Sequence, residues 1–221
     1  MKYKAVIFDL DGTLIDSMGI WLQVDKEYLQ KRNIPIPPNL FADVPQGNSF
    51  NEICRYFKDK FDLPDSLEEI GNEWTEMVSG HYKTGLRLKP GADNLISYLD
   101  ENNIKMAVGT SNSRFLAETV LRANGVLDKF ACIIAGCMEI KGKPYPDIFL
   151  KAAADLNMEP SSCLVIEDTL LGIKAAHNGG MDAYAIFDEH STHEKEKIRL
   201  EADFYADNFS QILEKLHNST F

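Results

Sequence analysis

Four consecutive apolar residues, Ala5, Val6, Ile7 and Phe8, stop abruptly at an acid, Asp9. A short unbroken apolar run of this kind predicts a strand buried on both faces, as in a parallel sheet. Comparable runs recur at residues 105–110, 131–135, 163–166 and 182–187. Between and after them the period lengthens. Ala92, Leu95, Ile96 and Leu99 fall at helical spacing, as do Ile148, Phe149, Ala152, Ala153 and Leu156, and later Ile212, Leu213 and Leu216. A further helix is expected to start near Phe115. Strands alternating with amphipathic helices predict an α/β fold built on a parallel sheet.

Residues 17–85 interrupt that alternation. Ile20, Val24 and Tyr28 mark a first helix, ended by the breaker at residues 33–38. Ser49 and Glu52 have capping-box spacing before a stripe of Phe50, Ile53, Cys54, Phe57 and Phe61. Ser66 and Glu69 repeat that spacing before Leu67, Ile70, Trp74, Met77 and Val78. Three short-linked amphipathic helices predict a small bundle, inserted after the first strand. An insert leaving the sheet at that point lies above its carboxyl edge, where a lid would sit. Near the other end, Ser191 and Glu194 offer a third capping-box spacing.

Composition narrows the partners. A chain of 221 residues, 44% of them apolar, suits one sizeable domain or one domain with an insert. A formal net charge of −11 argues against nucleic acid and anionic membranes, which need basic surface, and leaves a small molecule as the expected partner. Cys54, Cys132, Cys137 and Cys163 are scattered in apolar contexts, as expected of reduced, mostly buried thiols in a cytoplasmic protein. No apolar run reaches membrane-spanning length and no internal repeat appears.

The candidate chemistry gathers at strand ends. Asp9 and Asp11 are two residues apart, so in extended backbone they point the same way, and Gly12 permits an immediate turn. Two close carboxylates need a cation between them or a shared proton. A plain turn or a Ca²⁺-loop fragment has the same residues, but Leu14, Ile15 and Met18 follow where a Ca²⁺ loop needs acids. Thr110, Ser111, Asn112 and Ser113 close the second strand and suit either an anion or a helix N-cap. Lys143 is stiffened by Pro144 and Pro146, which suits a lysine aimed into a site; a lysine in such a loop is otherwise simply solvated. Glu167 and Asp168 close another strand, either as an N-cap pair or as a second acidic cluster, and a divalent cation between the two clusters would explain both. His190 and His193, among Glu and Lys, read as solvated rather than as metal ligands.

These motifs stand in one order: Asp9-Leu-Asp11-Gly-Thr13, then Thr110-Ser-Asn112, then Gly142-Lys143-Pro-Tyr-Pro-Asp147, then Glu167-Asp168 with Gly172. In that order they resemble the haloacid dehalogenase superfamily, in the group with a helical cap that includes β-phosphoglucomutase. The resemblance implies a Rossmann-like core at residues 1–15 and 86–221, with a helical cap at 16–85. It implies a phosphatase acting on small phosphorylated metabolites, in which Asp9 is the nucleophile and Asp11 the proton carrier. Thr110, Ser111 and Asn112 would bind the phosphoryl group, with Lys143 supplying charge. Mg²⁺ would be held by Asp9, the Asp11 carbonyl and Asp168, with Glu167 nearby. The dehalogenase branch lacks an acid at the place of Asp11. Mutases of this type use a cap histidine and a cap arginine for a second phosphate, where this chain has Trp21 and Phe50; hydrolysis is therefore expected, with a mutase as the alternative and a non-catalytic phospholigand-binding module behind both. Trp21, Asn48 and Ser49 are expected to face the leaving group, and the chain to be a monomer or weak homo-oligomer.

Overall fold

The computed structural model describes residues 2–38, 40, 50–136 and 140–218. Six strands, β1 (Ala5–Phe8), β2 (Lys105–Thr110), β3 (Cys132–Ala135), β4 (Cys163–Glu167), β5 (Asp182–Ile186) and β6 (Phe204–Ala206), form one sheet. Their order is β3-β2-β1-β4-β5-β6 and every pair is parallel, which makes the core Rossmann-like as expected. The chain walks from β1 to β3 in one direction, then returns past β1 to build β4, β5 and β6 in the other. β1 is therefore at the reversal of strand order, where open parallel sheets form a crevice at their carboxyl ends.

Side chains of a strand alternate between faces, and the core divides accordingly. Val6, Phe8, Met106, Val108, Leu164 and Ile166 pack with α4 (Ala92–Glu101), α5 (Arg114–Ala123) and α9 (Phe209–Asn218). Ala5, Ile7, Ala107, Val165 and Ala183 pack on the other face with α6 (Asp147–Asp155), α7 (Leu170–Asn178) and α8 (Lys195–Glu201). Small residues on that second face let its helices approach closely.

Between β1 and α4 lie α1 (Met18–Lys31), α2 (Phe50–Lys60) and α3 (Leu67–Thr84), the three helices expected from the sequence. Trp74 is their hub: edge-on contacts put its ring 5.5 Å from Tyr28, 4.9 Å from Phe57 and 6.0 Å from Phe50. The Ser66–Glu69 capping box forms as its spacing requires, each side chain bonding the other's backbone N–H. The expected partner box at Ser49 lies outside the described residues, as does Cys137. The apolar interior of these helices is continuous with the α4, α5 and α9 layer.

Two local expectations fail. The spacing at Ser191 and Glu194 does not make a capping box; Asp188 caps a short 3-10 turn, Glu189–Glu194, by accepting from the His190 N–H, and α8 starts only at Lys195. Ser191 is drawn inward instead, toward a buried carboxylate. β6 escapes the sequence pattern because three residues, two of them half-buried, are too few to show a period. Among the described residues no helix is long and apolar enough to cross a membrane.

Asp25 on α1 is buried, and among the described residues no hydrogen bond or ion pair reaches it. Burial pushes its carboxyl up to about 7. The folded chain thus keeps a proton that the unfolded chain releases near pH 4, so this group makes stability fall as pH rises from about 4 to about 7, with the full cost present above pH 7. Asp25→Asn is expected to raise unfolding free energy at pH 8 by on the order of 2 kcal/mol and to flatten that part of the pH dependence, as read by urea unfolding at pH 5 and pH 8.

Candidate active site

β1, β2 and β4 are in register at Phe8, Val108 and Ile166, so the residues one step beyond share one edge. Asp9 is that step on β1, and its N–H still bonds the Ile166 carbonyl at 2.9 Å. Glu167 is the matching end of β4. Lys143 reaches between them, 2.6 Å from Asp9 Oδ1 and in hydrogen-bond contact with Glu167 Oε1. All three are buried. The lysine comes from the turn before α6, where Tyr145 N–H bonds the Gly142 carbonyl at 3.0 Å, and its ammonium lies 5.3 Å from the Phe149 ring centre. The other Glu167 oxygen accepts from the N–H groups of Asp168 and Thr169 and from the Thr169 hydroxyl, at 2.7–2.9 Å, just where α7 begins. Gly172 faces this carboxylate: a Cβ there would lie 1.9 Å from it. Helix α7 approaches the strand end only because that side chain is missing.

Asp168 is the third buried acid at this edge. It accepts from the Thr13 hydroxyl at 2.8 Å and the Ser191 hydroxyl at 3.2 Å. Gly12 turns beneath it with φ +83°, and a Cβ at that position would stand 2.6 Å from Asp168 Oδ2. Glycine is required there twice over, for conformation and for space. The Gly12 turn is tied down by Lys89, which donates to the Gly12 and Phe187 carbonyls and to Asp188 Oδ2 at 2.7 Å. Lys89 follows the helical insert directly, so one buried ammonium joins the turn, the returning chain and the end of β5.

Asp11 faces away from this group, toward the insert. Its Oδ1 accepts from Ser17 Oγ at 2.5 Å, from the Tyr82 hydroxyl and from Trp21 Nε1 at 3.3 Å; its Oδ2 accepts from Asn112 Nδ2 at 2.9 Å. The Asn112 Oδ1 takes the Ser113 N–H at 2.7 Å, which leaves its amide nitrogen to face the acid. Ser113, rather than Thr110 or Ser111, caps α5. The Thr110 hydroxyl accepts from Asn112 N–H at 3.1 Å, and Ser111 lines a small pocket with Gly136, Gly142 and Lys143. Of the two readings of this strand end, the helix cap is met by Ser113, while Ser111 faces the small pocket.

The electrostatic balance is one of excess negative charge. Burial pushes Asp9 up to about 7, Glu167 and Asp11 press the same way, and Lys143 opposes them. Asp168 is held well above the carboxylate range by burial, then by Glu167, Asp9 and Asp188, with Lys89 pulling back. Burial alone would lower the Lys143 ammonium, but Asp9 and Glu167 override it and keep it charged. Among the described residues no group of three or more His, Cys, Asp and Glu side chains is arranged as a metal cage. The donor chemistry nevertheless fits a hard cation that keeps much of its water and takes few protein oxygens. Glu167 is held by an ammonium and by two backbone N–H groups with a hydroxyl, and Asp11 by four donors, whereas each Asp168 oxygen accepts one hydroxyl and Asp9 one ammonium, so Asp9 and Asp168 are the carboxylates with most capacity left for such an ion.

Every described residue expected at the site except Trp21 lies at this edge on a strand end or its loop. Trp21 also reaches it, through its indole N–H to Asp11 and to the Tyr82 hydroxyl at 2.9 Å, while its ring meets Phe50 edge-on at 6.0 Å. Asn48 and Ser49 lie outside the described residues. His190 is 3.6 Å from Glu189 and His193 bonds the His190 carbonyl, so both rings are engaged with the turn that carries them. Four residues escaped the sequence reading. Tyr82 sits one helical step beyond the stripe that ended at Val78 and was readable as its continuation. Ser191 was masked by its helix-start spacing. Lys89 and Asp188, far apart in the chain and each beside ordinary turn residues, carry no local signal.

The family model for haloacid dehalogenase-like hydrolases matches residues 6–186. Among similar proteins, β-phosphoglucomutase of Bacillus subtilis is 30% identical over 83% of this chain and 83% of its own length. A probable pseudouridine-5'-phosphatase of Drosophila melanogaster is 27% identical, with 94% of each chain covered. A bifunctional riboflavin kinase/FMN phosphatase of Arabidopsis thaliana is 30% identical over 83% of this chain, which spans only 48% of that longer protein. Among solved structures, CbbY from Rhodobacter sphaeroides in complex with phosphate has the same fold, with a TM-score of 0.85, 24% identity, and 95% and 96% of the two chains covered.

Removing the Lys89 ammonium would leave Asp188 buried beside Asp168 with no compensating charge. Lys89→Met is expected to cost about 3–5 kcal/mol in unfolding free energy, and the double variant Lys89→Met with Asp188→Asn to recover a good part of it, as measured by chemical denaturation.

Proposed function

This chain belongs to the haloacid dehalogenase-like hydrolases, and from that premise we propose that it is a phosphatase that hydrolyses small phosphate monoesters through an aspartyl-phosphate. The observation that carries the reading is the Asp9–Lys143–Glu167 chain, which aims one oriented, charge-compensated carboxylate into a crevice that also offers Thr110 and Ser111. An oxygen of Asp9 attacks phosphorus in line, and the bond from phosphorus to the leaving oxygen breaks. Asp11 gives its proton to that oxygen. Water then attacks the phosphoryl-aspartate and loses a proton to Asp11, releasing inorganic phosphate and restoring the Asp9 carboxylate. Lys143 offsets charge on the phosphoryl oxygens and fixes Asp9, while Thr110 and Ser111 hold the group in line. Asp9 and Asp168, with the Asp11 carbonyl, would hold Mg²⁺, which when bound supplies charge neutralisation for the transferred phosphoryl group. Residues 16–85 act as the cap that closes over the crevice and contacts the leaving group.

Two relatives carry phosphatase activity in their names and one is a mutase. Hydrolysis is favoured here by the insert itself. A mutase must hold a second phosphate with cationic groups above the site; Trp21 spends its only donor on Asp11 and Tyr82, and Phe50 packs its ring against Trp21 and Trp74. Neither offers a charge to a bisphosphate. Asp9→Asn is expected to lower release of phosphate from an aryl phosphate by at least about 10³-fold with the thermal unfolding midpoint maintained, and chelation of Mg²⁺ to suppress the wild-type rate reversibly. Turnover undiminished in Asp9→Asn would sink the mechanism. A sugar monophosphate supplied with its bisphosphate should yield free phosphate and no isomerised sugar.

A further inference from the structure

We propose that Tyr82, which the helical insert supplies, is the positioning residue of the proton carrier Asp11. The inference rests on the phosphatase reading above. Tyr82 stands in the last turn of α3, where the insert packs along core helix α5, and its side chain is fully buried. Three polar groups converge on its hydroxyl: Trp21 Nε1 at 2.9 Å, Asn112 Nδ2 at 2.9 Å, and Asp11 Oδ1. An indole N–H can only donate. The Asn112 nitrogen can only donate as well, because its amide oxygen is turned to the Ser113 N–H. The hydroxyl thus receives two hydrogen bonds, and its single proton is left for Asp11. The direction of the Tyr82 to Asp11 bond follows by elimination.

That direction matters for an acid that must give up a proton and then take one back. A carboxyl group on a short side chain can turn between the insert and the crevice, and a fixed donor at Oδ1 sets where it rests and which oxygen remains free to exchange a proton. Trp21 and Tyr82 come from the insert, on α1 and α3, whereas Asn112 comes from the core. The acid is therefore held from both sides. Ser17, the N-cap residue of α1 at the point where the chain leaves the sheet, adds a further donor from the insert.

The test uses leaving groups of graded need for a proton. Tyr82→Phe removes only the hydroxyl. If Tyr82 acts through Asp11, kcat/KM, which reports phosphoryl transfer to Asp9 and not the later water step, should fall about 10- to 100-fold more on an alkyl phosphate than on a nitrophenyl phosphate, whose leaving group departs without protonation. The same substitution on an Asp11→Asn background should add less than about two-fold. Trp21→Phe, which leaves the Tyr82 hydroxyl in place but frees its orientation, should show the same leaving-group dependence at smaller amplitude and serves if Tyr82→Phe fails to fold. Equal losses across the series, full additivity with Asp11→Asn, or no loss at all would each overturn the assignment. If Asp9→Asn still releases phosphate, the phosphatase reading itself has failed; if Asp9→Asn is inactive and the Tyr82→Phe series is flat, only the role of Tyr82 falls.

Discussion

Four carboxylates, Asp9, Glu167, Asp168 and Asp188, are buried along one edge of the sheet with two ammonium groups set among them. Burying charge is tolerable only where each group is paired and hydrogen-bonded, and the architecture around this edge supplies those partners. Lys143 bridges Asp9 and Glu167; the start of α7 caps Glu167; Lys89 holds Asp188 and the Gly12 turn. What remains is an excess of negative charge centred on Asp9 and Asp168. A divalent cation and the phosphoryl oxygens it would neutralise are the natural complement to that excess, so the cost of assembling the acids and the chemistry they perform have one origin.

The parallel topology makes the assembly possible. Three strands in register finish level with one another, so Asp9, Thr110 and Glu167 are brought to one edge by backbone hydrogen bonds alone. Position is then fixed by close approach. Gly12 and Gly172 each face a carboxylate that any side chain would displace. Neither place tolerates added volume, and both serve the geometry of the acids rather than the packing of the core.

The helical insert contributes differently. Among the described residues it adds no charge to the edge; it brings aromatic groups with single, fixed donors. Trp21 and Tyr82 saturate one oxygen of Asp11, Phe50 and Trp74 hold Trp21 and its neighbours in place, and the insert's apolar interior runs on into one helical layer of the core. The two acids of the opening motif are thereby separated in role by their surroundings. Asp9 faces cations and is held for attack; Asp11 faces neutral donors and is held for proton exchange.

Much of this was legible in the chain. Buried strands announce themselves as apolar runs and amphipathic helices as stripes, so β1 to β5 and helices α4, α6 and α9 follow from periodicity, whereas α7 was not read from it. Asp9, Asp11, Thr110, Glu167 and Asp168 were visible because each stands at the end of such a run, where a local pattern breaks, and Lys143 because Pro144 and Pro146 stiffen its loop. Tyr82, Lys89, Asp188 and Ser191 were not, since their partners are remote in sequence and their own neighbours look like ordinary helix or turn; Ser191 even carried the wrong local signal. Sequence determines what depends on residues a few positions apart, because strand and helix periods, caps and turns are short-range. The sharing of charge among buried acids, and the choice of which acid is gripped by the insert, depend on distances across the fold, and only the tertiary structure decided them.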